Sequence, residues 1–377
     1  MNKILFDLSG TQPSDSSKRH GGAKYGEMII ARIIERNLPV SCCYDFRKWI
    51  NPDILNMLSD HNISVYDTAK RTLEQIVEDE NVKLIYTPLS SIRHIRFNKC
   101  KVLGTIHDVR PLEKSIDPIQ IEYKPWNNFY RYILKKLFKN YFLKRKERYF
   151  VDAITSTNFS FVTVSYHSAY ALKCYFPQLK NVNIPVFYSP SISMVEILER
   201  KYQENFFLLV SGERFVKNIL RAVKALDRLF DYGYASGMIV KITGLTSSNA
   251  FWYNIRNKER FEFLGFTDDV ELAQLYHDAY CLIFPSLSEG FGYPPLEAMH
   301  FGTPVIASPI TSISEVCGGH VLYFNPFSVE EIMNRILQML QYETHCKYSE
   351  LAKERYQIIT KKQNKDLDGL IDYIFSF

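Results

Sequence analysis

No apolar run in this chain approaches the roughly 18 residues that a helix needs to cross a bilayer. The opening stretch, Met1 to Leu8, carries one lysine and a few apolar residues. It is too short for a signal peptide and reads as a first strand. Cysteine is sparse and odd in number. The seven are Cys42, Cys43, Cys100, Cys174, Cys281, Cys317 and Cys346, with no Cys-x-x-Cys pair. That excludes a disulfide framework and the usual zinc spacings, and fits a reducing cytosol. The net charge of +5 is too small for a general nucleic-acid binder. Low-complexity segments and internal repeats are absent, as is the Gly-x4-Gly-Lys-Ser/Thr loop of P-loop NTPases.

What charge there is sits in one place. Arg131, Lys135, Lys136, Lys139, Lys144, Arg145, Lys146 and Arg148 fall within 18 positions, opposed by Glu147. Tyr132, Leu134, Leu137, Phe138, Tyr141, Phe142 and Leu143 are interleaved with them. Two readings stand: a basic amphipathic helix on an anionic membrane or a phosphate-bearing acceptor, or a core-packed helix with a solvated basic face. The first is carried forward, as peripheral contact with the inner face of a membrane by an otherwise cytoplasmic protein.

The 377 residues suit two domains of about 150–200 residues each. Short apolar runs at 4–8, 40–44, 84–86, 102–106 and 161–164 alternate with polar turns and helical patterns. This is the pattern of βαβ units around a parallel sheet. It lapses at 181–193, which holds two prolines and reads as a linker. A second series follows, with strands at 206–210, 238–242, 261–264, 281–284, 304–307 and 321–323. Helices are expected at 218–230, 270–276 and 329–340, and from about 349 to the end. Ligands of open α/β sheets lie at the carboxyl ends of the strands, so the cleft between two such domains is the expected site.

The most informative segment is Phe284-Pro-Ser-Leu-Ser-Glu289-Gly290-Phe291-Gly292-Tyr-Pro294-Pro295-Leu296-Glu297-Ala-Met299. A strand runs into a Ser/Gly/Pro turn, and the prolines pre-set the first turn of a helix beginning at Leu296. Backbone N–H groups at Gly290, Phe291 and Gly292, with the helix's positive end, suit hydroxyls and phosphate oxygens. Glu289 and Glu297, the latter in the helix's first turn, are hydrogen-bond acceptors of the kind that sugar and ribose diols require. Singly, each residue could equally serve a turn or a helix end.

Together these residues resemble the signature of the family-4, or group 1, retaining glycosyltransferases. That resemblance implies a GT-B fold, two Rossmann-like domains facing across a cleft. It implies an acceptor-binding domain over 1–190, a nucleotide-sugar domain over 191–350, and a terminal helix over 351–377 crossing back. By the same resemblance Glu289 contacts the donor sugar, Glu297 the ribose, and the turn through Phe291 and Gly292 the sugar. Four other segments fall in the family's order. His20-Gly21-Gly22-Ala23-Lys24 resembles its glycine-rich loop, with Gly22 near the donor. His107-Asp108, closing a strand, resembles its His-Asp motif, with His107 beside the reacting sugar. Ser165 and Ser168 resemble its Ser-x-x-Ser, and either could simply cap a helix. Arg214 and Lys217 resemble the cations that bind the donor diphosphate, although Arg214 departs from the family's spacing. Gly244 closes one strand and Phe263-Leu-Gly-Phe266 another, with loops that resemble those flanking the base, and Ser314-Glu315-Val316 resembles a segment near the phosphates and ribose.

The implied reaction moves a hexose-type sugar from UDP- or GDP-sugar to a glycan or lipid-linked acceptor in cell-surface polysaccharide synthesis. Anomeric configuration is retained, and neither metal nor resident cofactor takes part. His107 and Glu289 are the catalytic candidates, and Asp108, Ser165 and Ser168 belong to the acceptor side. A non-catalytic nucleotide-sugar-binding protein, or an epimerase or phosphorylase on the same fold, is the alternative. Asp366-Leu-Asp368 spells a metal-binding Asp-x-Asp, but positions i and i+2 of a helix do not face each other, so it reads as solvated surface.

Overall fold

The structure, a computed structural model, describes residues 3–13, 21–89, 100–113, 116–123, 125–156, 158–192, 194–197, 199, 201, 205–246 and 255–377. The chain divides into two compact units. Unit 1 comprises Met1–Val109, Lys144–Ile192 and Thr360–Phe377, and unit 2 comprises Arg110–Leu143 and Ser193–Ile359.

Each unit is built on a six-stranded sheet in which every pairing is parallel. Unit 1 contains β1 (Ile4–Asp7), β2 (Ser41–Tyr44), β3 (Val65–Asp67), β4 (Leu84–Thr87), β5 (Lys101–Ile106) and β6 (Phe159–Thr163), in the order β3-β2-β1-β4-β5-β6. Unit 2 contains β7 (Phe206–Leu209), β8 (Ile239–Thr243), β9 (Phe261–Gly265), β10 (Cys281–Phe284), β11 (Val305–Ala307) and β12 (Leu322–Tyr323), in the order β12-β11-β10-β7-β8-β9. Counted within its own unit, each sheet reads 3-2-1-4-5-6, the order of doubly wound nucleotide-binding folds. The central strands are apolar on both faces because helices cover both. Phe206, Phe207, Leu208 and Leu209 are all fully buried. Helices follow for the same reason. In Ile219–Asp231 the apolar positions 219, 220, 223, 226 and 229 repeat at helical spacing and are all buried. β3 is not legible in the sequence: it has three residues, all half-buried.

Two features of the folded chain have no counterpart in the sequence pattern. Arg110–Leu143 lies between β5 and β6 in sequence, yet groups with unit 2. There the Tyr123 hydroxyl accepts from Leu220 N (3.1 Å), satisfying an orphan donor at the start of helix Ile219–Asp231. Arg221 makes a two-bond ion pair with the buried Asp117 (2.8 and 2.9 Å).

The last helix is a single 34-residue element, Tyr342–Phe375. The Asp366-Leu-Asp368 segment within it is not merely solvated. Asp366 accepts from Tyr188 N (2.9 Å) and from Lys362 (2.8 Å), and Asp368 pairs with Arg32 (3.0 Å). Each carboxylate is tied within unit 1 because Leu370, Ile371 and Ile374 bury their side of the helix there. Among the described residues, no helix is long and apolar enough to cross a membrane.

Candidate functional site

In unit 2 the strand order reverses between β7 and β10, so the loops leaving these two strands diverge and leave a crevice at their carboxyl ends. Both carry sequence-predicted residues: 210–218 after β7, and 285–292 after β10.

The loop after β7 ends in a single 3-10 turn, Phe215–Lys217. Arg214 precedes the turn and is exposed. Asn218 closes it with φ +56°, a left-handed conformation that asparagine tolerates better than most residues. Its side-chain amide donates to the carbonyls of Pro285 (3.1 Å) and Pro326 (2.7 Å), binding this loop to the one after β10. Leu287 N adds a bond to Val216 O (2.8 Å).

These ties bring Lys217 and Glu289 together. The Lys217 ammonium lies 2.8 Å from Glu289 Oε1 and 5.0 Å from the centre of the Phe284 ring. The two side chains are only 6% and 10% exposed. Ser286 Oγ donates to the same carboxylate oxygen at 2.5 Å. Burial alone would raise the Glu289 carboxyl. The Lys217 charge and hydrogen bond, the Ser286 hydroxyl and the Arg110 charge outweigh it and hold the group below its ordinary value. Glu289 is therefore an ionised, oriented acceptor at neutral pH. Lys217 is the buried partner of that carboxylate.

The backbone of Glu289 is also held at both ends. Its N–H donates to Thr311 Oγ1 (3.0 Å), and the Ser312 hydroxyl is 3.0 Å from the carbonyls of Glu289 and of Phe291. Thr311 has φ +60° and ψ −134°, a conformation that a β-branched residue rarely adopts. Gly292 follows with φ +103°, where a Cβ would be strained, and caps helix Tyr293–His300. That helix starts three residues earlier than Leu296, because Pro294 and Pro295 fit a first turn whose N–H groups have no intrahelical partner. Glu297 is thus its fifth residue and not in the first turn. Glu297 Oε2 accepts from Tyr276 OH (2.8 Å). Burial, then the Glu297 charge, raises the Tyr276 phenol well above its ordinary value, so it remains a donor.

Gly290, Phe291 and Gly292 are buried in the turn. Gly244 has φ +73°, and a Cβ there would lie 3.1 Å from Ser211 Cα, so its loop packs closely on the one after β7. Phe266, just past β9, is 88% exposed. Glu315 lies in helix Ser312–Cys317, whose carbonyls at Glu315 and Val316 accept from Arg355 (2.7 Å each).

The remaining predicted residues belong to unit 1. His107 follows β5, and its Nε2 is 2.8 Å from Pro88 O. A carbonyl only accepts, so Nε2 carries a proton. The His107 ring meets Tyr25 edge-on with centroids 4.5 Å apart. Ser165 caps helix Tyr166–Tyr175 by accepting from Ser168 N (3.1 Å), and Ser168 Oγ donates to His107 O (2.9 Å). Asp108 is half-buried beside it. Gly22 is not in a loop. It occupies the first turn of helix Gly21–Glu35, because the apolar helical repeat of the residues after it already begins at Ala23 and Tyr25. His20 lies outside the described residues. Ser286, Thr311, Ser312 and Tyr276 escaped the sequence reading. Ser286 stood inside the quoted motif, whereas Thr311 and Ser312 reach the turn, and Tyr276 reaches Glu297, through tertiary contact alone.

Residues 193–358 match the glycosyl transferases group 1 family. The O-antigen chain mannosyltransferase RfbU of Salmonella typhimurium is 30% identical over 261 residues, 67% of this chain and 64% of the relative. O-antigen chain mannosyltransferase B of Escherichia coli is 46% identical over 79 residues, 21% of each chain. This chain thus matches less than two thirds of the length of either relative. HepE of Anabaena, solved in complex with UDP and glucose, superposes with a TM-score of 0.65 over 100% of both chains at 15% identity. With the matched signature lying on the loops after β7 and β10, this chain carries a group 1 glycosyltransferase domain at residues 193–358, on a GT-B fold.

Proposed function

We propose that this protein transfers a hexose, mannose first among the candidates, from a nucleotide diphosphate sugar to a glycan or lipid-linked acceptor during cell-surface polysaccharide synthesis, with retention of configuration. The observation that supports this most directly is the buried Lys217–Glu289 pair beneath a Gly-Phe-Gly turn at the switch point of unit 2. It sets an ionised acceptor for sugar hydroxyls beside a cation able to stabilise a departing diphosphate without a metal. Mannose is drawn from the names of the two relatives. The GT-B fold and the nucleotide held by the Anabaena protein support the donor class.

In this reading Glu297, oriented by Tyr276, accepts the ribose hydroxyls. Arg214, exposed at the edge of the loop, closes on the diphosphate. Gly244 and Phe266 border the base. His107 stabilises the positive charge that develops on the sugar.

Donor-dependent thermal stabilisation tests the proposal. UDP-, GDP-, ADP- and CMP-sugars are compared on the wild type and on Glu297→Ala. A ligand at about 100 Kd adds roughly 2.7 kcal/mol to folding stability, a readable melting shift. One nucleotide class should stabilise the wild type and lose its effect on the variant. Turnover should then follow with that sugar and a glycan acceptor, and fall in His107→Asn. If no nucleotide sugar moves the wild type, the donor-site reading fails.

A further inference from the structure

The basic segment after β5 forms two helices, Pro125–Leu137 and Lys139–Ile154. The helical hydrogen bonding carries across their junction, from Phe138 N to Leu134 O (2.9 Å) and from Phe142 N to Phe138 O (3.1 Å). Tyr130, Leu134, Leu137, Phe138 and Tyr141 therefore fall at i, i+4, i+7, i+8 and i+11, on one stripe. A core-packed helix would bury that stripe. Here all five are exposed, from 50% for Leu134 to 72% for Leu137. Large apolar side chains contiguous on a surface mark a contact site.

The charge beside the stripe selects the partner. Arg131, Lys135 and Lys139 run at i, i+4 and i+8 along one flank, and all are exposed. No aspartate or glutamate occurs anywhere from 125 to 146. An apolar stripe with a basic row alongside is the arrangement of a helix lying in a lipid interface, where the stripe enters the acyl boundary and the cations meet anionic headgroups. We infer that residues 129–141 dock this protein on an anionic bilayer surface, lying in its plane without crossing it. The exposed stripe and its charge complementarity to anionic lipid carry this inference, which is independent of the sugar-transfer reading.

Vesicle co-sedimentation of the full chain tests it, with no sugar donor or acceptor present, so that its failure and that of the proposed enzymatic function are separable. The probes are vesicles of phosphatidylglycerol and phosphatidylethanolamine, against pure phosphatidylcholine. The wild type should pellet with the anionic vesicles and release in high salt. Lys135→Ala/Lys139→Ala should weaken binding roughly thirtyfold, since each cation near an anionic surface contributes about fivefold. Leu134→Glu/Leu137→Glu should abolish it while keeping the wild-type melting temperature and circular dichroism, because both side chains are exposed already. Equal binding to neutral vesicles, no binding by the wild type, or full binding by both variants each overturns the inference. So does a wild-type dimer in light scattering that Leu134→Glu/Leu137→Glu splits while vesicles leave the wild type unbound. That result would assign the stripe to a second copy.

Discussion

Lys217 and Glu289 show how much a buried ion pair depends on both members. Removing one leaves the other charge buried without a partner, at a cost of about 3–5 kcal/mol. Lys217→Met should therefore lower stability by about that amount in urea unfolding at pH 7. The sign with pH distinguishes this from simple loss of packing. In the wild type the Glu289 carboxyl is held below its ordinary value of 4.5, so its contribution is complete at neutral pH. That contribution persists down to about pH 5 and is lost as the pH falls further. In Lys217→Met, burial is opposed only by the Ser286 hydroxyl and the Arg110 charge, so the carboxyl should rise and protonation should become stabilising. The stability gap between the two proteins should narrow from pH 7 to pH 4. A gap that stays constant across this range would mean that the pair does not govern the site's electrostatics.

At the scale of elements, the turn after β10 is fixed by the segment that follows β11. Thr311 holds the Glu289 N–H from a backbone conformation costing on the order of 1–3 kcal/mol, and its hydroxyl also donates to Ile310 O (2.7 Å). Three substitutions separate the two effects. Thr311→Gly should relieve strain but lose the hydroxyl, leaving stability near the wild type while donor turnover falls. Thr311→Ala should lose both stability and turnover. Thr311→Ser should restore turnover. Melting curves and kcat against KM for the donor would read this. Equal turnover in all three would show that the threonine is structural alone. The glycines and prolines of the quoted motif were legible as a turn and helix start. The clamp was not, because Thr311 lies 22 positions from Glu289 and carries no spacing signal of its own.

For the whole molecule, the last helix is one of two that the two-unit division splits, the other being Lys139–Ile154, and it has 342–359 in unit 2 and 360–375 in unit 1. Its attachment within unit 1 is apolar first: Leu370, Ile371 and Ile374 are at most 1% exposed. The Arg32–Asp368 pair, at 41% and 42% side-chain exposure, contributes at most about 1 kcal/mol and less in salt. Ile371→Ala should thus cost about 2–5 kcal/mol, whereas Asp368→Asn should change the unfolding free energy by under about 1 kcal/mol. Urea unfolding of both variants at low and high salt checks the order. A larger loss from Asp368→Asn would reverse it.

The sequence alone determined what depends on local periodicity and on short contiguous motifs. Two series of buried strands, their alternation with amphipathic helices, and the turn at Glu289–Gly292 are written in neighbouring residues, because a doubly wound sheet demands apolar runs and a helix an apolar face. Only the tertiary structure decided what depends on distant residues meeting. It paired Lys217 with Glu289, supplied Tyr276 to Glu297 and Thr311 and Ser312 to the turn, placed 110–143 with unit 2, and left the stripe at 130–141 exposed where periodicity alone allowed burial. Hydrogen bonds and ion pairs act over about 3 Å of space whatever the separation along the chain, and a single sequence holds no measure of that distance.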